Sequence, residues 1–248
     1  REQLARLDRK RKKKASNRDW KNPHDPDARI TKMKDGRTHL AHKAEHAVDL
    51  SSGALLAVTL QPADAGDTTT IRQTLTETQF VSQEVNERGV EEVVADKGYH
   101  SGPALMKFHG EGMRSYIPEP ERGRRKWRGR QTEQEQVYAN RRRVRGERSK
   151  RLQKLRCELA ERSFAHLYGT GGMRRVHLRG RENILKRLVI HAAGFNLALV
   201  MRKMFGMGKP RRWQGCPGTI FESYSKIWRA GRRLGADLVA HARQFFSP

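Results

Sequence analysis

Strand-forming and helix-forming segments alternate between residues 38 and 120, and this alternation constrains the fold more than any other feature of the sequence. Residues 38–50 and 54–63 are two extended segments, and the short Ser-Ser-Gly connection between them is typical of a β-hairpin. In the first segment, alternate residues that include His42 and His46 share one face. We therefore predict antiparallel strands whose histidines are half-buried, with metal binding by the histidines as the alternative.

A helix, a strand, a second helix and a final strand are predicted after the hairpin. Apolar residues at four-residue spacing follow Asp67, which we expect to be the helix N-cap. The β-branched pair Val93-Val94 predicts a short buried strand, residues 101–112 a helix that opens with proline, and residues 113–120 a strand closed by prolines. The order β-β-α-β-α-β indicates an α/β domain.

The strand that contains Val94 ends on Asp96, in the stretch "VVADKGYHS" at residues 93–101. In open α/β sheets, ligands bind at the carboxyl ends of the strands, so a carboxylate at this tip is well placed to hold a metal ion or a proton. The commoner role of an isolated Asp-Lys-Gly is to cap a turn, here the turn that Gly98 introduces. One stretch does not decide between the two roles, and a second carboxylate is needed.

The chain of 248 residues has a formal net charge of +25, which indicates a polyanionic partner, with nucleic acid as the first candidate. Residues 1–21 contain ten Lys or Arg, and residues 1–23 are predicted to form a basic arm. Residues 121–156 contain fifteen Lys or Arg against four Glu, with Trp127 and Tyr138 among them. This composition suits phosphate contact and base stacking, and a solvated helical surface is the alternative.

Two cysteines, Cys157 and Cys216, are too few for a disulfide framework or a cysteine zinc site, which favours a reducing, cytoplasmic compartment. The longest apolar stretch, residues 188–201, is shorter than the ~20 residues that a membrane span needs, and neither a span nor a signal peptide is predicted. Because the chain begins with Arg1 instead of methionine, we expect it to be a piece of a longer reading frame.

Two further helices are predicted, at about 150–168 and at 181–205. The second has an apolar stripe along one side, which we expect to face the core. Its residues are Leu185, Leu188, Ala192, Phe195 and Leu199. Residues 209–248 are predicted to be a C-terminal appendage, in which residues 220–246 have an amphipathic pattern.

The first of these helices offers a second carboxylate. Two-metal phosphoryl transfer needs carboxylates from different parts of a fold that converge on two cations about 3.5–4 Å apart. On a helical wheel Glu161 lies just past the Phe164 edge of the apolar arc, whereas Glu158 lies farther toward solvent. Glu161 is therefore the better candidate, and a surface glutamate paired with a nearby arginine is the alternative.

Several motifs occur in the order found in one family: "DPDARITKMKDGRTHLAHKAEHAVDL", "LQPADAGDTTTI", "VVADKGYHS", "ELAERSFAHLY" and "GGMRRVHLRGRENILKRLVIHAAGFNLALVMRKMFG". From about His24 to Gly208 the chain resembles the catalytic domain of bacterial insertion-sequence transposases of the DDE type. The resemblance implies an α/β, RNase H-like fold, with a mixed sheet flanked by helices and a basic insertion at 121–150 before the last catalytic helix. It also implies that Asp96 is the second metal ligand and Glu161 the third.

The family's first catalytic aspartate lies on a strand before the hairpin, and the sequence contains no such strand. Asp25 and Asp27 are in a Pro-flanked loop, and Asp49 ends an antiparallel strand, so none is a convincing substitute. We therefore expect an inactive fragment of a transposase. The alternatives are a non-catalytic nucleic-acid-binding protein and a metal-dependent nuclease of the same fold.

The resemblance implies Mg²⁺ as the cofactor, with Mn²⁺ able to replace it. It also implies double-stranded DNA as the partner, at transposon ends and at the target. On this DNA the chain is able to form a homo-oligomer. Some relatives place Tyr, Arg and Lys around the glutamate at positions that are here Lys154, Cys157 and Tyr168. We expect DNA contacts from nearby basic residues instead, namely Lys97, Arg124, Arg125, Lys126, Arg141, Arg142, Arg143, Arg156 and Arg162. The compartment implied is the cytoplasm, in association with the nucleoid.

Overall fold

A computed structural model of the chain describes Arg6 and residues 16–18, 20–33, 36–121, 123 and 125–205. The chain divides into two compact units, Arg1–Phe195 and Asn196–Pro248. The predicted appendage at 209–248, its amphipathic pattern and most of the basic arm lie outside the described residues.

The described elements follow one another in an α/β order. The strands are β1 (Arg29–Lys32), β2 (Thr38–Val48), β3 (Leu55–Pro62), β4 (Glu92–Val94) and β5 (Arg114–Tyr116). The helices are α1 (Asp67–Gln83), α2 (Gly102–Gly110), α3 (Gln131–Arg145), α4 (Glu147–Ala165) and α5 (Arg181–Phe205), with a 3₁₀ turn at Lys97–Tyr99 and a π-helical turn at His166–Thr170.

The strands form two separate sheets. β2 pairs antiparallel with β1 through its first four residues and with β3 through residues 42–48, so the predicted hairpin is confirmed. Gly53 closes the turn between them at φ 78°, a backbone conformation that favours glycine. β4 and β5 pair parallel, with Val93 opposite Ser115. The predicted order β-β-α-β-α-β is confirmed for the elements from β2 to β5, and the short strand β1 comes before them.

The helix α1 begins one residue earlier than predicted. Gly66, in an extended conformation, is its N-cap, and Asp67 is the first helical residue. The expectation that Asp67 is the N-cap is therefore wrong, because its carboxylate pairs with Lys43 Nζ at 2.5 Å. The prediction for α2 is confirmed, since Ser101 caps it by accepting a hydrogen bond from the Ala104 N–H.

An apolar core lies between α1, α2, α3 and the parallel strand pair. Its buried residues include Ile71, Val93, Phe108, Ile117 and Val137. The helix α3 lies within the predicted basic insertion and is not only a solvated surface, because Val137 is fully buried in this core.

The helices α4 and α5 lie close to their predicted positions. On α5, the buried residues are Ile184, Leu188, Ala192 and Phe195, so Ile184 takes the place predicted for Leu185. Among the described residues, one helix, Arg181–Met204, is long and apolar enough by length and composition to cross a membrane. Core helices of soluble proteins pass the same test, so this finding alone does not indicate a span.

Candidate active-site cleft

A cavity of about 660 Å³ separates the two sheets within the first unit. One wall is residues 45–51, from β2 and the following turn, and the opposite wall is residues 89–96, which contain β4. The helix α1 closes one side with Ile71, Thr74, Leu75 and Thr78, and α4 closes the other with Arg148, Leu152, Arg156, Ala160 and Phe164. This cleft is large enough to accept a ligand or a segment of chain.

Asp96 lies at the carboxyl end of β4 and lines the cleft. Its Oδ1 accepts a hydrogen bond of 2.7 Å from the Lys97 N–H, and Asp96 is the N-cap of the 3₁₀ turn. The capping role is thus confirmed. It is compatible with ligand binding, because a carboxylate has two oxygens and Asp96 is exposed.

A buried polar network ties the turn after Asp96 to β2. Glu45 is 4% exposed and pairs with Lys43 Nζ at 3.0 Å. It also accepts hydrogen bonds from Thr70, from Thr74 at 2.6 Å and from the Tyr99 hydroxyl at 3.4 Å. Burial and the negative charges of nearby carboxylates, Glu45 first, raise the pKa of Tyr99, which keeps the hydroxyl protonated and able to donate.

Asp67 extends this network to the glycine of the same turn. Lys43 bridges Glu45 and Asp67, and its Nζ lies 5.8 Å from the centroid of the Tyr99 ring. A Cβ at Gly98 would lie 2.5 Å from Asp67 Oδ2, so a larger residue there would have to displace the Asp67 carboxylate. Lys43 and Glu45 were not predicted from the sequence as part of the site, although they alternate with the histidines of β2 and so share the opposite face of the strand.

Glu161 is exposed on α4 and does not line the cleft. It lies about 140° around the helix from Arg156, which does line it. Glu158 is exposed and pairs with Arg162 at 2.5 Å. In the described ranges there is no group of three or more His, Cys, Asp or Glu side chains that could hold a metal ion. The pairing of Asp96 with Glu161 therefore stays a prediction.

The histidines of β2 are half-buried strand residues, as predicted. His46 stacks on Phe164 with ring centroids 3.9 Å apart, and its Nδ1 is 2.9 Å from Ser163 Oγ. Burial lowers the pKa of His46 to about 4, so the ring is neutral at pH 7. His42 Nε2 lies 3.0 Å from Asp25 Oδ2.

The other aspartates considered from the sequence have structural partners. Besides contacting His42, Asp25 accepts a hydrogen bond from the Gly180 N–H, and Asp27 accepts one from the Arg181 N–H at the start of α5. Asp49 accepts hydrogen bonds from Ser51 and Ser52 in the β2–β3 turn. Burial alone would raise the pKa of Asp49, but these hydrogen bonds outweigh it and lower the pKa.

Several of the predicted DNA-binding arginines are held by acceptors of this chain. Arg125 and Arg141 both pair with Glu119, at 2.8 and 2.7 Å, and together they keep its pKa below the usual value against the opposing effect of burial. Arg143 donates to Ser115, and Arg156 to Gln153. Lys97, Lys126 and Arg142 are exposed, and Arg124 lies outside the described residues.

The aromatic residues of the basic segment contact arginines of the same segment. The guanidinium groups of Arg125 and Arg130 lie 5.5 and 5.8 Å from the Trp127 ring, and that of Arg141 lies 4.8 Å from the Tyr138 ring. Both rings therefore take part in cation–π contacts within the chain.

A strongly basic α/β domain with a carboxylate at a strand end beside a deep cleft has the general features of a phosphoryl-transfer enzyme that acts on nucleic acid. A family model for the transposase DDE domain matches residues 10–197, and the chain therefore belongs to the DDE transposases. This family transfers phosphoryl groups on DNA and depends on divalent metal ions. No curated protein and no solved structure matches the chain. The mixed α/β architecture predicted from the sequence is confirmed.

Proposed function

We propose that this chain is the catalytic part of an insertion-sequence transposase that cleaves transposon ends and joins them to target DNA. The observation that carries the proposal is the position of Asp96, at the end of β4 and on the wall of the cleft, in a chain of the DDE family. Double-stranded DNA is the partner, and the cytoplasm, in contact with the nucleoid, is the compartment.

The reaction consists of two displacements at phosphorus. A water oxygen attacks the phosphate at the transposon end, and the bond to the 3′ oxygen breaks to leave a 3′-hydroxyl. That hydroxyl then attacks a target phosphate and displaces the target's own 3′ oxygen. Bound divalent ions would supply charge stabilisation for the attacking and leaving oxygens. Asp96 and Glu161 would hold the ions, because carboxylate oxygens are ligands that Mg²⁺ prefers, and Mn²⁺ is able to replace it.

We further propose that the chain alone binds DNA without transposing it. Two carboxylates supply less negative charge than three, and a cation that lacks one shared anchor would leave the reacting oxygens poorly aligned. A non-catalytic nucleic-acid-binding protein and a nuclease of the same fold are the competing functions.

A set of DNA assays separates these functions. Band shifts with and without Mg²⁺ measure binding, and strand-cleavage and strand-joining assays measure chemistry. We expect residues 1–248 to bind without cleaving, and a fusion that adds an N-terminal strand with an aspartate to cleave transposon ends in Mg²⁺.

Point variants of the active fusion test the assigned carboxylates. Asp96→Ala and Glu161→Ala should abolish cleavage and leave DNA binding nearly unchanged, whereas Glu158→Ala on the same helix should keep both. Cleavage by residues 1–248 alone that is insensitive to Asp96→Ala would show that the site is wrongly assigned.

A further inference from the structure

We propose that residues 171–180, here called the basic loop, are a further DNA-binding surface, separate from the cleft, that holds the phosphate backbone of duplex DNA. The loop joins the π-helical turn to α5, and residues 171–181 contain four Arg and no Asp or Glu. Its residues Arg174, Arg175 and Arg179 are exposed, and none of them lines the cleft. The inference rests on the proposed function for its partner, DNA, and does not depend on catalysis.

The three exposed arginines of the basic loop are not bound to acceptors of the chain. Elsewhere, Arg125 and Arg141 pair with Glu119. In the described ranges, by contrast, no oxygen atom accepts a hydrogen bond from the side chains at positions 174, 175 and 179. A guanidinium group binds phosphate through a planar fork of N–H donors, and these three forks are open to an external phosphate.

Both ends of the basic loop are fixed to the rest of the domain. At the first end Met173 is 5% exposed, and its N–H donates to the π-helical turn at 3.2 Å. At the other end the Gly180 N–H donates to Asp25 Oδ1 at 3.3 Å, and the Arg181 N–H donates to Asp27 Oδ2 at 3.1 Å. A segment held at both ends loses less conformational freedom when a partner binds than a free tail does.

The same two aspartates show which groups of the loop would contact phosphate. The N-terminus of a helix commonly binds an anion through its unpaired N–H groups. At the start of α5, Asp25 and Asp27 already accept hydrogen bonds from two of these groups. Contact with DNA therefore depends on the arginine side chains and not on the helix terminus.

The basic loop lies at the end of β2 that is near Asp96. Asp25, which holds the loop, also contacts His42 at 3.0 Å. The next residue, Lys43, points to the other face of β2 and pairs with Asp67, which approaches the turn after Asp96. The loop and that turn therefore flank one end of β2, on opposite faces of the strand. A duplex that runs past this end would be able to contact both.

The composition of the loop favours duplex DNA over a single strand. Residues 171–180 contain no Phe, Tyr or Trp. Sites for single-stranded nucleic acid combine basic residues with aromatic rings on which the bases stack. Arginines without such rings suit contacts to phosphate oxygens, which position a duplex without reading its sequence.

A salt series with the complete chain, residues 1–248, tests the basic loop. The probe is a duplex of random sequence in EDTA, so that no metal ion contributes. The loop variant combines Arg174→Ala, Arg175→Ala and Arg179→Ala. Each lost phosphate contact lowers the slope of the logarithm of the binding constant against the logarithm of the salt concentration by about 0.9, so we expect a reduction of about 3.

A matched variant removes the same amount of charge from other helices. It combines Lys107→Ala, Lys150→Ala and Lys186→Ala, and each of these lysines pairs with a glutamate one helical turn away. Its slope should fall by no more than about 1, because these side chains are bound within the chain. Circular dichroism reports whether both variants fold.

Two further measurements locate the contact. Duplex DNA should slow amide exchange at residues 173–181 of the unmodified chain. The variant with Lys at positions 174, 175 and 179 keeps the charges and should keep the slope within about 1 of the unmodified value. This variant also serves as the test if the alanine variant does not fold, because a slope lowered by about 3 in it would contradict contacts made by charge.

Four results would overturn the assignment of the basic loop to duplex DNA. The first is an equal reduction of the slope in the loop variant and the matched lysine variant, which would indicate a general effect of net charge. The second is DNA protection confined to residues outside 173–181. The third is a loop variant that weakens binding of single-stranded DNA but not of the duplex. The fourth is a loop variant that binds duplex normally but no longer binds vesicles of phosphatidylcholine and phosphatidylserine, which would assign the loop to a membrane surface.

The basic loop and the proposed catalysis fail in different ways. Asp96→Ala should leave the salt slope unchanged, because the slope is measured without metal ions. A reduced slope in the loop variant, together with no cleavage by the fusion that carries an added aspartate strand, would support the loop and contradict the catalysis. Cleavage by that fusion, together with an unchanged slope in the loop variant, would contradict the loop alone.

Discussion

At the scale of the residue, the site depends on the side chains that fix the turn after Asp96. Glu45 is nearly completely buried and has four donors around it, so its charge is compensated. Because one of those donors is Tyr99, three residues beyond Asp96, the position of the Asp96 backbone is coupled to β2 and α1. The role proposed for Asp96 as a carboxylate ligand would need such support, since a loosely held ligand aligns a reacting group poorly.

The sequence predicted the position of Asp96 at a strand end but missed Glu45, for a physical reason. Asp96 follows a β-branched strand and precedes a glycine, so its place at a strand end is visible within nine residues. The partners that compensate Glu45, Thr70 and Thr74, are 25 and 29 residues away, and only the folded chain brings them together. The role of Glu161 as a metal ligand stays a prediction. It depends on further ligands beside Glu161, and the described residues contain no such cluster.

His46 gives the fold a pH dependence whose sign follows from its burial. Its pKa is 6.5 in the unfolded chain and about 4 in the folded chain, so between these values the unfolded state binds more protons. The stabilisation is fully present above pH 6.5 and is lost as the pH falls toward 4. At pH 5 the expected loss is about 2 kcal/mol relative to pH 7.5.

The measurement is urea unfolding at pH 7.5 and pH 5 for the natural chain and for His46→Gln, whose side chain does not titrate. The free energy of unfolding of the variant should fall by about 2 kcal/mol less over this interval. An equal fall in the two proteins would show that His46 titrates normally when folded.

At the scale of the element, the helices and strands that follow hydrophobic periodicity were predictable and α3 was not. The alternation on β2 and the four-residue spacing on α5 gave bounds close to the observed ones. By contrast, α3 has one buried apolar residue, Val137, and is also attached through polar groups, Asn140 and Arg143, that bind β5 and the residue after it. Polar packing of this kind leaves no apolar stripe in the sequence.

Asn140 should therefore carry much of the attachment of α3. Its side chain is 1% exposed, accepts a hydrogen bond from the Ile117 N–H at 3.2 Å and donates to the Ile117 carbonyl oxygen at 2.8 Å. Asn140→Ala would leave both buried backbone groups without these partners and should lower the free energy of unfolding by about 2–3 kcal/mol. Glu135→Ala, on the exposed side of α3, should change it by no more than about 0.5 kcal/mol.

Denaturant unfolding of the two variants under identical conditions checks this prediction. A change in Asn140→Ala as small as that in Glu135→Ala would mean that water satisfies Ile117 without cost, and that the remaining contacts of α3, those of Val137 and Arg143 among them, hold the helix.

At the scale of the whole molecule, the basic residues behind the net charge of +25 fall into two groups. Some arginines neutralise acceptors of the chain itself, as Arg125 and Arg141 do for Glu119. Others, such as Arg142, are exposed and available to phosphate. The composition predicted a polyanionic partner, but only the folded structure shows that neighbouring arginines have different roles.

This division gives different expectations for DNA affinity. Each phosphate contact adds about 0.9 to the slope of the logarithm of the binding constant against the logarithm of the salt concentration. Arg142→Ala should therefore reduce the slope by about 1. Deletion of residues 1–21, which removes ten Lys or Arg, should reduce the slope by several units and lower affinity at low salt by orders of magnitude.

The measurement is DNA binding at a series of salt concentrations for the complete chain, the Arg142→Ala variant and the deletion, with Arg141→Ala as the matched control. Arg141 is held by Glu119, so its loss should affect stability more than the salt slope. A shallow slope for the complete chain would contradict phosphate binding as the source of affinity. If the deletion keeps the full slope, the basic arm does not contact DNA, and the exposed residues of the α/β domain carry the binding.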